Sequence, residues 1–199
     1  MATNTQVRIG HCSPDAPAVD VFVDGEKVAS DVSFTDVSDY MEVPAGSHDV
    51  KICPAGKPEQ PVIEKSFELE ADHEFTVLAI GDLADIDTLV LNDKNEEKEN
   101  AGRVRFVHAA PDAGNVDVAF DGARLFADMP FGKAGAYASV DAGSYELQVM
   151  PAGEDEPVLK VPNITVEAGK TYTAFAVGKL SDDSLDAIIT LDHQPMVAP

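Results

Sequence analysis

The chain has 199 residues, 36 of them Asp or Glu against 14 Lys and Arg, for a formal net charge of −22. Such a surface repels phosphate backbones and anionic lipid, which argues against nucleic acid partners and membrane insertion. Because 44% of the residues are hydrophobic, a core can still be filled; the acidity therefore reads as that of a halophilic protein, soluble where a Debye length of about 3 Å in ~1 M salt screens carboxylate repulsion.

Met1 to Gln6 is short and polar, without the apolar stretch of a secretory leader, so either the chain is not exported by that route or a leader has been removed from it. Val7-Arg8-Ile9-Gly10-His11 then alternates as a strand whose apolar face ends at His11. Ser13-Pro14-Asp15-Ala16-Pro17 interrupts it, because proline cannot donate to a strand ladder. Val19, Val21 and Val23 follow on one face of the next strand, with Asp20, Phe22 and Asp24 outward, and Asp24-Gly25 marks a tight hairpin. Phe34 anchors the connection beyond, and Tyr40 opens the strand after it. Further strands run through Val50 and Ile52 to Pro54-Ala55-Gly56, through Phe67-Glu68-Leu69, through the doubly apolar Phe75 to Ile80, and through Thr88 to Leu91.

The same order returns 97 positions later: His108, Pro111, Asp112, Val116, Val118, Phe120, Asp121-Gly122, Phe131, Tyr137, Pro151-Ala152-Gly153 and Gly178 answer His11, Pro14, Asp15, Val19, Val21, Val23, Asp24-Gly25, Phe34, Tyr40, Pro54-Ala55-Gly56 and Gly81. A register this long is a duplicated domain. Turn signals every eight to twelve residues or so, with no helical periodicity, define an all-β fold: two tandem antiparallel β-sandwiches of about seven strands each. The expected division is 1–92 for the first, an acidic linker over 93–102, and 103–199 for the second. Tyr172, after Ala168-Gly169-Lys170-Thr171, stands where a tyrosine corner forms.

His11, the Ser-Pro-Asp-Ala-Pro run, Val-Asp-Val and Asp24-Gly25, with Tyr40 and Pro44-Ala45-Gly46, resemble domain-of-unknown-function family 4397 in two tandem copies. The second copy departs at Ala110, Gly114 and Asn115. The resemblance implies immunoglobulin-like or transthyretin-like sandwiches, found in exported or surface proteins of bacteria and halophilic archaea. It implies no activity, and an extracellular or cell-surface location is its expectation. The absent leader leaves a virion component or a cytoplasmic binding module as alternatives.

His11, Ser13, Asp15 and Asp20 contain the ingredients of an acid-base or nucleophilic site. The second copy has Ala110 in place of Ser13, so such chemistry would belong to one copy. The contrasting expectation is that each His caps the core by bonding to backbone and each Asp closes an Asx-turn, with no catalytic residue. Asp15, Asp20, Asp24, Asp112, Asp117 and Asp121, joined by Asp31 and Asp128, are weak calcium candidates without calcium-loop spacing. No other cofactor is expected, and salt cations would gather non-specifically. Phe22, Cys12 and Cys53 fall outward by strand parity and are the interface candidates; the cysteines pair, link subunits or stay as thiols. Asn163-Ile164-Thr165 is a glycosylation sequon. The expected function is a non-catalytic structural or interaction protein, self-associating or binding other proteins.

Overall fold

A computed structural model describes residues 4–93 and 99–192. Contacts divide the chain into two compact units, Met1–Lys94 and Asn95–Pro199.

In the first unit β1 (Asn4–His11), β4 (Met41–Pro44), β7 (Glu74–Ile80) and β8 (Asp87–Asn92) form one sheet in the order β4-β1-β7-β8. β2 (Val19–Val23), β3 (Glu26–Val32), β5 (Gly46–Pro54) and β6 (Ile63–Leu69) form the other, in the order β3-β2-β5-β6. Ile9 and Ala79 from the first sheet meet Val19, Val21, Val50, Ile52 and Ile63 from the second, which is the core of a sandwich.

The second unit repeats this plan. β9 (Gly102–His108), β16 (Thr171–Val177) and β17 (Asp186–Asp192) form a sheet with the short β12 (Lys133–Ala134) and β13 (Ala138–Val140), both paired to β9. β10 (Val116–Phe120), β11 (Ala123–Met129), β14 (Gly143–Pro151) and β15 (Leu159–Val166) form the facing sheet, ordered β11-β10-β14-β15. Between them lie Val104, Phe106, Val118, Phe120, Phe126, Leu147 and Val149. The strands come where alternation and turn residues place them. Asp24 and Gly25 have φ of 51° and 83°, and Asp121 and Gly122 have 47° and 78°, the left-handed pair that a two-residue hairpin requires.

Three features differ from expectation. The first unit has eight strands and the second nine, where about seven were expected in each, because the hairpin returns as β3 or β11 where a connection was read and the second unit adds the short β12. Each unit also contains one parallel pairing, β1 with β7 and β9 with β16, within otherwise antiparallel sheets; local alternation carries no direction, so the sequence held no sign of it. The linker is shorter than 93–102 at both ends. Asp93 is fully buried and accepts a hydrogen bond from Thr76, and Gly102 already belongs to β9. Residues 94–98 lie outside the described part of the chain.

The two cores are filled differently. At equivalent positions the second unit has Phe106, Phe120, Phe126, Tyr145 and Leu147, where the first has Ile9, Val23, Ala29, His48 and Val50. Met41 and Phe67 return part of that bulk in the first unit, opposite Ala138 and Ile164. A cavity of about 30 Å³ remains there, bordered by Ile9, Val23, Met41, His48, Val50 and Phe67 among others.

Candidate functional site

The signature residues gather at one pole of each sandwich, where β1 or β9 ends. His11 and His108 are 1% and 0% exposed, continuing the inward face of their strands. His11 Nε2 lies 3.1 Å from the Pro17 carbonyl, and Nδ1 accepts from the Ser13 N–H at 3.3 Å. His108 does the same with Gly114 at 2.6 Å and Ala110 at 3.4 Å. A ring that donates at one nitrogen and accepts at the other is neutral, and burial lowers the pKa of both histidines despite the carbonyl that would raise it. Both nitrogens are thus engaged in closing the Pro-Asp loop, as the core-capping expectation held. The Ser13 hydroxyl is fully buried and bonds to nothing, so His11 and Ser13 meet only through backbone.

Asp15 and Asp112 reach well beyond local turns. Asp15 Oδ1 accepts the Leu83 N–H at 2.7 Å, and Asp112 accepts the N–H groups of Leu180 and Ser181 at 2.7 and 3.0 Å. The Asx-turn expectation is corrected here. After the intervening proline turn, the carboxylate meets a loop 68 residues downstream that pairing of β1 with β7 brings alongside. Burial alone would raise the Asp112 pKa, but the Ser181 and Leu180 groups outweigh it and hold the carboxyl below its ordinary value. The loop leaves its strand at Gly81 or Gly178 with φ of 90° or 83°, and a Cβ on Gly178 would sit 2.1 Å from the Ser184 carbonyl oxygen.

A third loop completes the pole. Thr35 and Gly132 donate backbone N–H groups to the His11 and His108 carbonyls at 2.8 Å. Phe34 and Phe131 then stand edge-on to the imidazoles, with centroids 6.5 and 6.2 Å apart. The loops at these poles expose Leu83 in the first unit and Leu180 and Phe131 in the second, while Phe34 is half-buried. Leu83, Leu180 and Phe131 are three of the four most exposed large hydrophobic residues described, at 38%, 38% and 37%.

The remaining aspartates are structural knots. Asp20 was expected to face outward into solvent, yet it is 2% exposed. It accepts from Lys27 Nζ at 2.7 Å and from the Asp31 and Gly56 N–H groups at 3.0 and 3.1 Å, which push its pKa down to about 2. Asp117 accepts from Gly153 and Asp128 N–H and pairs with Arg124 at 3.0 Å. Asp24 and Asp121 accept the N–H of Asp49 and Glu146. Asp31 and Asp128 take left-handed backbone, φ 56° and 52°, so that their N–H groups reach these knots. A calcium ion at these oxygens would have to displace the N–H donors, and among the described residues no cluster of three or more acidic, His or Cys side chains is placed to hold a metal.

The interface candidates are corrected too. Phe22 does sit on the outer face of β2, but Lys27 and Lys51 lie over its ring at 5.5 and 5.1 Å and leave it 9% exposed. Cationic stems cover an aromatic that parity alone would expose. Cys12 and Cys53 are fully buried free thiols, and burial pushes Cys12 up to about 12. Neither is accessible to another chain.

Sequence reasoning missed a buried polar knot on the other sheet. Arg8 donates to Thr76 Oγ1 at 2.7 Å and lies over the Tyr40 ring at 4.8 Å, while Thr76 and Tyr40 both donate to Asp93. Arg105, Thr173, Tyr137 and Asp192 repeat it. The recurrence of Arg8, Tyr40 and Thr76 at 97 was readable. Asp93 and Asp192 stand 99 apart, because the loop after Gly178 is two residues longer.

Fold and pole together define a protein of two duplicated β-sandwiches, each organised by a buried histidine and a loop-bridging aspartate. The domain of unknown function DUF4397 matches residues 5–119 and 102–199, and the chain belongs to this family. Among curated proteins none matches the chain. Among solved structures, the similar ones include CBMbc (family CBM26) from Eubacterium rectale Amy13K in complex with maltoheptaose. It is 9% identical, with a TM-score of 0.28 over 97% of this chain and 98% of that one. A leucine-rich repeat protein from Bacteroides thetaiotaomicron is 11% identical with a TM-score of 0.24. That likeness covers 89% of this chain, which spans 26% of the Bacteroides protein.

Proposed function

We propose that the chain is a non-catalytic structural or interaction protein of a cell-surface or extracellular assembly in concentrated salt, and that copies of it associate through the pole built twice in each chain. The observation that carries this is what the signature does. Its histidines and aspartates are spent on holding loops, the Ser13 hydroxyl is buried without a partner, and those loops expose Leu83 in the first copy and Leu180 and Phe131 in the second. A buried neutral histidine with both nitrogens occupied has no proton to trade with a substrate.

A second copy is the occupant that the charge supports. Carboxylates rim each pole, with Asp36, Asp82 and Asp85 in one and Asp182 and Asp183 in the other, so like poles repel in dilute buffer. In molar salt that repulsion is screened and apolar contact dominates. Two equivalent patches make each chain bivalent.

Light scattering in molar salt tests the reading. Association is expected for the native chain, reduced when Leu180→Asp and Phe131→Ser disable one pole, and abolished when Leu83→Asp and Phe34→Ser are added. A native chain that stays monomeric at every salt concentration, or a fourfold variant that assembles unchanged, overturns it. In the first outcome, fresh screening for an activity lost on His11→Ala without unfolding would test the enzymatic alternative.

A further inference from the structure

We propose that Asn163 is a site of N-linked glycosylation, and that the sugar caps the open edge of the second sandwich. Asn163-Ile164-Thr165 is the one Asn-X-Ser/Thr triplet in the chain. Triplets of this kind arise by chance, and most chance examples are disqualified by where the fold puts them; this one is not.

Asn163 lies on β15, the last strand in the order β11-β10-β14-β15 and so an edge of its sheet. Ile164 packs against the core, which turns its neighbours Asn163 and Thr165 away from it, and both are exposed. The amide that would be modified and the hydroxyl that a glycosyl transferase reads two residues on are thus presented together. Backbone geometry adds to this. Tyr145 pairs with Ile164 and Leu147 with Val161, so Pro162 and Asn163 together oppose the single residue Glu146. That is a β-bulge, with Asn163 in the left-handed region at φ 62°. Proline contributes no N–H to the edge, and the bulge lifts Asn163 out of regular pleating.

The first copy has an edge strand at the same place, but neither the sequon nor the bulge. At the corresponding place Ser66-Phe67-Glu68 carries no sequon, and its strand β6 pairs in unbroken register, Val50 with Lys65 and Asp49 with Ser66. Charge defends that edge instead, through Glu64, Lys65 and Glu68, with Lys65 bonded to Asp87. Exposed edges invite pairing with other chains, and both charge and bulk suppress it. On β15, where Val161 and Ile164 flank the bulge, the sugar supplies the bulk.

The chemistry requires a lipid-phosphate-linked oligosaccharide as donor. Asn163 Nδ2 forms a bond to the anomeric carbon as that carbon's bond to the phosphate oxygen breaks. The lipid phosphate leaves with the electron pair, and one amide proton passes to solvent.

The inference rests on the extracellular location proposed above, and the experiment separates the two. The full chain is fused to an export leader, so that passage is imposed, and recovered from outside a host with an N-glycosylation apparatus. Its intact mass is compared with that of Asn163→Gln and Thr165→Val, both of which leave the core untouched. The expected result is a discrete oligosaccharide increment on the native chain that both variants lose. Recovery at the sequence mass, or an increment that survives Asn163→Gln, overturns it. Fractionation of the chain expressed without the fused leader reports on location independently.

Discussion

His48 and Tyr145 occupy the same position in the two copies and are held in different ways. Tyr145 packs edge-on against Phe120 and donates its hydroxyl to the Asp141 carbonyl. His48, 7% exposed, has only acceptors at its nitrogens, Asp24 Oδ2 at 2.7 Å and the Pro44 carbonyl at 2.8 Å. Burial alone would lower its pKa, but Asp24 and Pro44, with Glu68 nearby, outweigh it and raise the value above about 6.5. The folded state therefore binds the proton more tightly than the unfolded chain. The stability this contributes is full below pH ~6.5 and is lost as pH rises through the folded value. Hydrogen exchange of β5 amides between pH 6 and pH 9 should show protection falling as pH rises in the native chain and staying level in His48→Tyr. Equal pH dependence in both would show the pair to be inert. None of this was legible from His48 in the sequence, because its partner Asp24 stands 24 residues earlier, at the end of a strand paired with β5 but not consecutive to it. His11, by contrast, was legible, since its place at the end of an apolar face dictates burial and hence bonding to backbone.

Elements were easiest to read where local chemistry specifies them and hardest where pairing is remote. The hairpins at Asp24-Gly25 and Asp121-Gly122 and the apolar strands around Phe75 and Tyr172 follow from residue types that demand those conformations. Tyr172 accepts the Glu167 N–H at 3.3 Å, the corner contact that its place after a turn implies. Parallel pairing of β1 with β7, the reach of Asp15 to Leu83, and the lysines over Phe22 join residues far apart in the chain or in neighbouring strands, and periodicity says nothing of them. The duplication is the better instrument here, since each copy is a control for the other. It says how the first core is underfilled, the cavity of about 30 Å³ being bordered by Val50, which stands in place of Leu147. One added methylene matches that space, whereas a phenylalanine at Val23, after Phe120, would overfill it. At about 24 cal/mol per Å³ of cavity, Val50→Leu should stabilise the first unit by roughly 0.7 kcal/mol. Scanning calorimetry should register a rise of about 3–6 °C in the first unit's transition. A fall instead would mean that the space is already committed to neighbouring side chains.

For the molecule as a whole, the carboxylates divide into two populations with opposite effects. A few, Asp20, Asp117, Asp24 and Asp112 among them, are held ionised by N–H donors and cations and tie loops to strands. Most of the other acidic side chains face solvent and repel one another, as a net charge of −22 on 199 residues requires. Salt acts on these two sets unequally: short hydrogen-bonded contacts survive it, while repulsion over many ångströms is screened as the Debye length drops from about 10 Å at 0.1 M to about 3 Å at 1 M. Stability should therefore climb steeply over that range and flatten beyond it. Melting followed by circular dichroism across a sodium chloride series should trace this curve, and sucrose at the same concentrations should not reproduce it, because excluded osmolytes strengthen burial without screening charge. The fourfold pole variant should show the same rise while remaining monomeric, which separates stabilisation of the fold from assembly. A melting temperature that is flat between dilute and molar salt would mean that the surface charge is balanced internally, and the acidic composition would then need a cause other than a saline setting.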